Sequence, residues 1–109
     1  MTQPFLSITA IDAQALISQG LAHLVDVREW PDYLQGHISG SVNLPYSTFN
    51  PKVLLPHHED RQTVIIHCYH GIRSQGACLA LRTLQPDWTI YNLTGGFAAW
   101  KEAGLPTVL

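Results

Sequence analysis

Short apolar runs alternate along the chain with segments in which apolar residues recur at helical spacing or follow helix-start signals. The apolar runs predict five β-strands. They are 6–8, 21–27, 41–44, 63–67 and 88–93. Because several of these runs are continuously apolar and alternate with helices, they indicate a parallel sheet that is covered on both faces.

The segments between the strands carry the usual signals of helix ends. Thr9 is expected to cap a helix over 11–19, and the helices that follow are predicted at 31–34, 75–84 and 97–103. Ser47 is expected to cap a further short helix, which Pro51 should break because proline interrupts helical hydrogen bonding.

Composition and charge restrict the class of protein. At 109 residues, the chain is long enough for one compact domain, expected to span residues 1–109. Hydrophobic residues make up 46% and charged residues 13%, which is typical of globular proteins. The six Lys and Arg residues are scattered, so nucleic-acid binding is not expected. No apolar run has membrane length and residues 1–10 do not resemble a signal peptide, which predicts a cytoplasmic protein without a membrane partner.

A cysteine lies where the central predicted strand gives way to a helix. Cys68 follows the apolar run 63–67, and residues 69–74 lead into the predicted helix 75–84. In a parallel α/β sheet, ligands bind beyond the carboxyl ends of the strands, where Cys68 is expected to lie. Loop N–H groups and the helix N-terminus would stabilise the thiolate and lower its pKa. Since the thiolate is the nucleophilic form, this position predicts a reactive cysteine.

The rest of this loop is expected to bind the substrate beside the sulfur. Gly71 can adopt backbone angles that are closed to other residues. Arg73 closes the loop, and binding of an anionic substrate is favoured for it over pairing with a surface carboxylate. His70 is equally compatible with attracting that substrate and with a solvated position. Tyr69 and Ile72 are expected to contribute backbone N–H groups, with their side chains at the pocket rim.

Three neighbours of the nucleophile have structural interpretations. Ser74 is expected to cap the following helix, with a hydrogen bond to the sulfur as the alternative. His67 precedes the nucleophile, but alternation along a strand points its side chain away from that of Cys68. Cys78 lies within the predicted helix, which favours a core position over a resolving thiol and two free thiols over a disulfide.

Two charged clusters give weaker indications of chemistry. Asp26, Arg28 and Glu29 lie at the end of a predicted buried strand, where an ion-pair scaffold is favoured over a catalytic role. The run 57–60 has the sequence His-His-Glu-Asp, which hints at a metal site. No second cluster at ligand spacing accompanies it, so an exposed loop is favoured and no metal is expected.

Three segments, taken together, are typical of one known family. Residues 26–45 contain Asp-Val-Arg-Glu, Gly-His-Ile and Asn-Leu-Pro; residues 68–71 are Cys-Tyr-His-Gly; and residues 93–106 contain Thr-Gly-Gly-Phe-Ala-Ala-Trp and Gly-Leu-Pro. In this order they resemble the signature of the rhodanese family, and the resemblance covers about residues 8–106. It implies a three-layer α/β/α fold with a five-stranded parallel sheet. It also implies that a cysteine carries a transferable sulfur as a persulfide.

The loop is especially similar to that of small single-domain thiosulfate sulfurtransferases. Four residues separate Cys68 from Arg73, as in sulfurtransferases, whereas the related cell-cycle phosphatases have five. The resemblance therefore implies that Cys68 is the catalytic nucleophile and that residues 69–73 bind the substrate. It implies a thiosulfate or persulfide donor and a thiol, cyanide or protein acceptor, and the chemistry needs no metal or organic cofactor.

The sequence leaves two other functions open. A sulfur-carrier or regulatory interaction domain with little turnover would use the same Cys68 and Arg73. A phosphatase or arsenate reductase would use the same thiolate, but the short loop disfavours it.

Overall fold

The computed structural model describes residues 4–57 and 62–109, so His58, Glu59 and Asp60 of the metal-site alternative lie outside the described residues. Five parallel strands form one sheet in the order β1-β5-β4-β2-β3. The strands are β1 (Leu6–Ile8), β2 (His23–Asp26), β3 (Val42–Asn43), β4 (Thr63–His67) and β5 (Thr89–Leu93).

Strand β4 lies in the middle of the sheet because it is apolar on both faces. Val64, Ile65 and Ile66 are fully buried, and the strand pairs with β2 on one side and β5 on the other. Continuous apolar sequence is typical of parallel strands that are covered on both faces. Because the strands are parallel, the carboxyl ends of β2 and β4 meet at one edge, where Asp26 pairs with His67.

Four α-helices accompany the sheet among the residues that the structure describes. They are α1 (Ala10–Ser18), α2 (Trp30–Leu34), α3 (Arg73–Leu84) and α4 (Gly96–Glu102). The predicted cap of α1 is confirmed, because the Thr9 hydroxyl oxygen accepts a hydrogen bond from the Asp12 N–H at 3.2 Å, although the helix begins one residue before the predicted start. Within the described residues, no helix combines the length and apolar character needed to cross a membrane.

Two hydrophobic clusters hold the helices on opposite faces of the sheet. Alternation along β4 directs Val64 and Ile66 to one face and Ile65 to the other. Leu81 of α3 belongs to the first cluster, whereas α1 and α4 contribute to the second, which includes Trp100. The predicted three-layer α/β/α arrangement with a five-stranded parallel sheet is therefore confirmed.

The connection after β3 differs from the prediction. Its described part contains two 3-10 helices, Tyr46–Thr48 and Pro51–His57. Ser47 does not cap a helix but lies inside the first of them, where its hydroxyl donates to Glu29 Oε1 at 2.6 Å. Pro51 begins the second helix rather than breaking one, because its fixed φ and missing N–H suit a first helical position.

Candidate active site

The loop after β4 wraps around the Cys68 sulfur. The Gly71 N–H donates to Sγ at 3.1 Å, and the Ser74 N–H donates at 3.4 Å. Gly71 has a φ of +86°, which favours glycine. Since α3 begins at Arg73, the Ser74 N–H is one of the first-turn donors that have no partner within the helix. Cys68 is 2% exposed, so its sulfur lies on the inner side of the loop.

The surroundings of the sulfur favour the thiolate. Burial, the largest single influence, raises the pKa of Cys68. The hydrogen bond between Cys68 and the Ser74 hydroxyl, together with hydrogen bonds from the backbone N–H groups of Ser74, Gly71 and His70, outweighs burial and holds this pKa below its ordinary value. The direction of the shift is the one expected for an activated cysteine nucleophile.

Ser74 does not cap α3, so the favoured prediction for this residue is wrong. The helix begins at Arg73, two residues before the predicted start, and its cap position is occupied by Ile72 without a side-chain hydrogen bond. The buried Ser74 hydroxyl instead lies 3.4 Å from Cys68 Sγ and donates to Asn92 Oδ1 at 2.5 Å. The alternative prediction, contact with the sulfur, is the one observed.

Asn92 connects the two residues whose N–H groups contact the sulfur. From β5, its Nδ2 donates to Gly71 O at 3.0 Å, while its Oδ1 accepts from Ser74. The side chain is buried. Sequence analysis missed this residue, although an amide inside an apolar strand is itself a signal, because buried polar groups are found with specific partners.

The first turn of α4 supports the loop from its carbonyl side. The N–H groups of Phe97 and Ala98 donate to Cys68 O and Tyr69 O, each at 2.9 Å. Gly96 permits this approach, because a Cβ there would lie 2.5 Å from Cys68 O and 2.6 Å from Tyr69 O. The glycine pair in the last signature segment therefore brings α4 against the loop.

Asp26, the last residue of β2, and Arg28 form a buried ion pair, as predicted. Arg28 Nη2 lies 2.9 Å from Asp26 Oδ2, and the guanidinium lies 4.0 Å from the centroid of the Phe97 ring. This pair joins the end of β2 to α4 and has a structural role. Glu29 is not part of it, because its carboxylate accepts hydrogen bonds from Ser47, which lower its pKa.

His67 points away from the nucleophile, as predicted. Its buried ring stacks with the Phe97 ring, and its Nδ1 lies 3.1 Å from Cys68 O. Burial, the main influence, holds the pKa of His67 below its ordinary value, although the Asp26 carboxylate 3.6 Å from Nε2 opposes the shift. The ring packs against Phe97 and is directed away from the Cys68 sulfur, so His67 is not assigned as the base for Cys68.

Cys78 is a core residue, as the sequence favours. It is fully buried on α3, and its Sγ lies 3.7 Å from Tyr91 O. Burial raises the pKa of the Cys78 thiol to about 12. Both cysteines are free thiols. In the described part of the chain, no group of three or more His, Cys, Asp or Glu residues is arranged to hold a metal ion.

A cleft of about 480 Å³ opens beside the loop. Tyr69, His70 and Arg73 line it, whereas Gly71 faces the sulfur and Ile72 is 73% exposed. The other lining residues are Arg28, Asp32, Gln35, Gly36, Phe97 and Lys101. The lining residues of the loop were predictable from the sequence. The contributions of α2 and α4 were not, because these helices are far from residues 68–73 along the chain.

Known proteins resemble this chain over nearly all of its length. A family model described as a rhodanese-like domain matches residues 9–103. The thiosulfate sulfurtransferase GlpE of Vibrio cholerae is 37% identical over 102 residues, which cover 94% of this chain and 93% of that protein. An uncharacterized protein of Synechocystis sp. is 40% identical over 107 residues, covering 98% of this chain, and the chain spans 58% of that relative's length.

The fold has a similarly close counterpart among solved structures. The crystal structure of a rhodanese-related protein from Thermoplasma volcanium has a TM-score of 0.78 and 30% sequence identity. The similarity covers 96% of this chain and 99% of that one. The family model and the Vibrio cholerae relative show that the chain belongs to the rhodanese family.

Proposed function

We propose that this protein is a thiosulfate sulfurtransferase that moves a sulfane sulfur through a persulfide on Cys68. The observation that carries the proposal is the pair of N–H groups, from Gly71 and Ser74, that contact the Cys68 sulfur within a short loop. They favour the thiolate, which is the form that attacks sulfur. The relative from Vibrio cholerae, named as a thiosulfate sulfurtransferase, supports the same assignment.

In the first proposed step, the Cys68 thiolate attacks the outer sulfur of thiosulfate. A new S–S bond forms at Sγ, the S–S bond of thiosulfate breaks, and sulfite leaves with its electron pair. The negative charge then lies on the outer sulfur of the Cys68 persulfide. Preorganised N–H groups of the loop stabilise that charge because they need little reorientation as it develops.

In the second proposed step, an acceptor removes the outer sulfur. A thiol, a partner protein or, in an assay, cyanide attacks that sulfur. The S–S bond to Cys68 breaks, and its electron pair returns to Sγ as the thiolate. Sulfur supplies both the nucleophile and the leaving group, so the proposed cycle requires no metal or organic cofactor.

We assign Arg73 to the binding of the anionic donor. Its side chain is exposed and lines the cleft at the start of α3. The positive charge of Arg73 helps to lower the pKa of Glu29, but the Glu29 carboxylate accepts its hydrogen bonds from Ser47. The Arg73 guanidinium therefore remains available to a ligand, and a guanidinium binds oxyanions in a directed way.

The remaining loop residues complete the proposed donor site. His70 lies edge-on to the Tyr69 ring, with 4.5 Å between the ring centroids, and both residues line the cleft. We assign these two side chains to the donor pocket and Gly71 to the contact with the sulfur. Ile72, whose side chain is exposed, contributes to the rim.

Loop length favours sulfur over phosphate as the transferred group. Four residues, 69–72, separate Cys68 from Arg73. In the superfamily, this length resembles the sulfurtransferases, whereas the phosphatases have a longer loop that forms a wider cradle. A tight ring of N–H groups suits one sulfane sulfur better than a tetrahedral phosphate.

Steady-state turnover tests this proposal. Thiocyanate formation from thiosulfate and cyanide should continue over many cycles, should stop in Cys68→Ser and should persist in Cys78→Ser. Transfer of one equivalent of sulfur without further turnover would instead indicate a sulfur carrier or regulatory domain. Release of phosphate or reduction of arsenate without thiocyanate formation would indicate the chemistry of the related phosphatases and reductases.

The proposal includes a single rhodanese domain over residues 1–109 and a cytoplasmic location. A reducing compartment suits the chemistry because Cys68 must be a free thiol to accept sulfur, and cytosolic thiols are kept reduced. Cell fractionation followed by detection of the full chain tests the location, and recovery in a membrane or secreted fraction would contradict it.

A further inference from the structure

The cleft beside the loop is larger than an inorganic donor requires. Its volume of about 480 Å³ lies in the range of sites that bind organic molecules. Tyr69, His70 and Arg73 belong both to the loop around Cys68 and to the wall of the cleft. A molecule in the cleft is therefore adjacent to the loop that holds the reacting sulfur.

Lys101 brings a positive charge into this cleft. Its Nζ lies 5.3 Å from the centroid of the Tyr69 ring and 5.1 Å from that of the Phe97 ring. Aromatic faces attract a cation at such distances and hold the ammonium at the cleft wall. Among residues 4–57 and 62–109, no carboxylate forms an ion pair with Lys101.

Arg28 lines the same region, but its guanidinium is already paired with a carboxylate. Its Nε and Nη2 both donate to Asp26 Oδ2, at 3.1 and 2.9 Å, and Nη2 also donates to Gly36 O at 2.7 Å. A buried guanidinium that is paired in this way offers little net charge to a ligand. Lys101 is therefore the cation that α4 makes available to an anionic group.

Asp32 of α2 gives the cleft a charge of the opposite sign. Thiosulfate, which carries only negative charge, gains nothing from this carboxylate, whereas an ammonium group would. A molecule with one carboxylate and one ammonium group would match both Lys101 and Asp32. We propose that the cleft binds the amino-acid head group of an organic thiol, the sulfur acceptor, with its carboxylate on Lys101 and its ammonium near Asp32.

This inference rests on the proposed function and names the class of its acceptor. The acceptor thiolate attacks the outer sulfur of the Cys68 persulfide while its head group is held in the cleft. The S–S bond at Sγ breaks, its electron pair returns to Cys68 as the thiolate, and the acceptor leaves as a persulfide.

Binding without chemistry gives the first test. In a Cys68→Ser protein, NMR titration compares S-methyl-L-cysteine with S-methyl-L-cysteinamide, which lacks the carboxylate. The cleft should prefer the carboxylate probe by up to about fivefold, the upper end of the range for one exposed charge pair. Lys101→Gln should remove that preference. Lys52→Gln, a change at the other lysine of the chain, on an exposed position, should keep it.

Sulfur transfer from a preformed persulfide gives the second test, with cysteine, 3-mercaptopropionate and cysteamine as acceptors. Lys101→Gln should raise the half-saturating concentration of the two carboxylate thiols and leave cysteamine and the KM for thiosulfate unchanged. Asp32→Asn should raise the half-saturating concentration of cysteine, which has an ammonium group, but not that of 3-mercaptopropionate, which has none. A Lys101→Gln effect confined to thiosulfate, or equal binding of both probes by the unaltered cleft, would overturn the inference. Failure of the persulfide to form would contradict the proposed function alone, since the binding test uses no reaction.

Discussion

The Ser74 hydroxyl donates a hydrogen bond to Asn92 Oδ1, and the same oxygen lies 3.4 Å from the Cys68 sulfur. A hydroxyl has a single hydrogen, so it cannot be shared fully between Asn92 and a thiolate. In the thiol form, the Cys68 S–H donates to Ser74 and the Ser74 hydrogen points to Asn92. Ionisation changes this balance, because hydrogen bonds to charged groups are about twice as strong as neutral ones.

Replacing Ser74 with alanine should raise the pKa of Cys68. Burial already raises this pKa, and the Ser74 hydroxyl is the first of the hydrogen bonds that oppose burial. At a given pH, the variant should contain less thiolate, and its alkylation profile should move to higher pH. The rate of iodoacetamide alkylation against pH, measured in a Cys78→Ser background, checks this. An unchanged profile would mean that the Ser74 hydrogen stays on Asn92 in both states.

Replacing Asn92 with alanine should destabilise the protein by about 1–3 kcal/mol, the usual cost of leaving buried polar partners unsatisfied. Both Gly71 O and the Ser74 hydroxyl would lose a partner. Urea unfolding measures the loss, with Thr94→Ala, at an exposed position after β5, as the control. Equal stability of the two variants would show that the Asn92 hydrogen bonds contribute nothing measurable.

Replacing Gly96 with alanine should cost more stability than replacing Gly20. Both glycines have positive φ angles, +60° and +70°. A Cβ at Gly20 would meet nothing within 4 Å, so Gly20→Ala measures backbone strain alone, about 1–2 kcal/mol. A Cβ at Gly96 would also strike the carbonyl of Cys68. Gly96→Ala should therefore lose more stability than Gly20→Ala in urea unfolding, and it should slow alkylation of Cys68. Equal losses of stability in the two variants would contradict the close contact between α4 and the loop.

Replacing Arg73 with alanine should raise the KM for thiosulfate and weaken its dependence on salt, because ions screen charge attraction. A less charged persulfide donor should be affected less. Steady-state kinetics with the two donors checks this expectation, and Lys52→Ala serves as a control for loss of a positive charge elsewhere. An equal loss with both donors would assign Arg73 to ordering the loop instead of binding the donor.

Elements with a local signal were predictable from the sequence. Strand β4 has the predicted bounds, 63–67, because a continuous apolar run needs no information from the rest of the chain. The start of α1 was predictable because Thr9 caps its own helix. Ser47 and Ser74, like Thr9, are hydroxyl residues just before a predicted helix. Their hydroxyls instead bind Glu29 and Asn92, which lie in other segments of the folded chain.

In the candidate site, too, residues with a local sequence signal were predictable and residues from distant segments were not. Cys68 and Gly71 were predictable because the strand, the loop and the helix around them are contiguous. Asn92 and Lys101 come from β5 and α4, and they reach the loop because β5 lies beside β4 in the sheet and α4 follows β5. No spacing in the sequence encodes that neighbourhood, although the burial of an amide at Asn92 marks a residue with specific partners.

Mass spectrometry after incubation with thiosulfate tests the central claim most directly. Peptide mapping should locate one added sulfur atom on Cys68, and cyanide should remove it. Cys68→Ser should lose the adduct and Cys78→Ser should keep it, because Cys78 is buried with a raised pKa. A stable protein in which Cys68 gains no sulfur, or in which the sulfur is found on Cys78, would contradict the account.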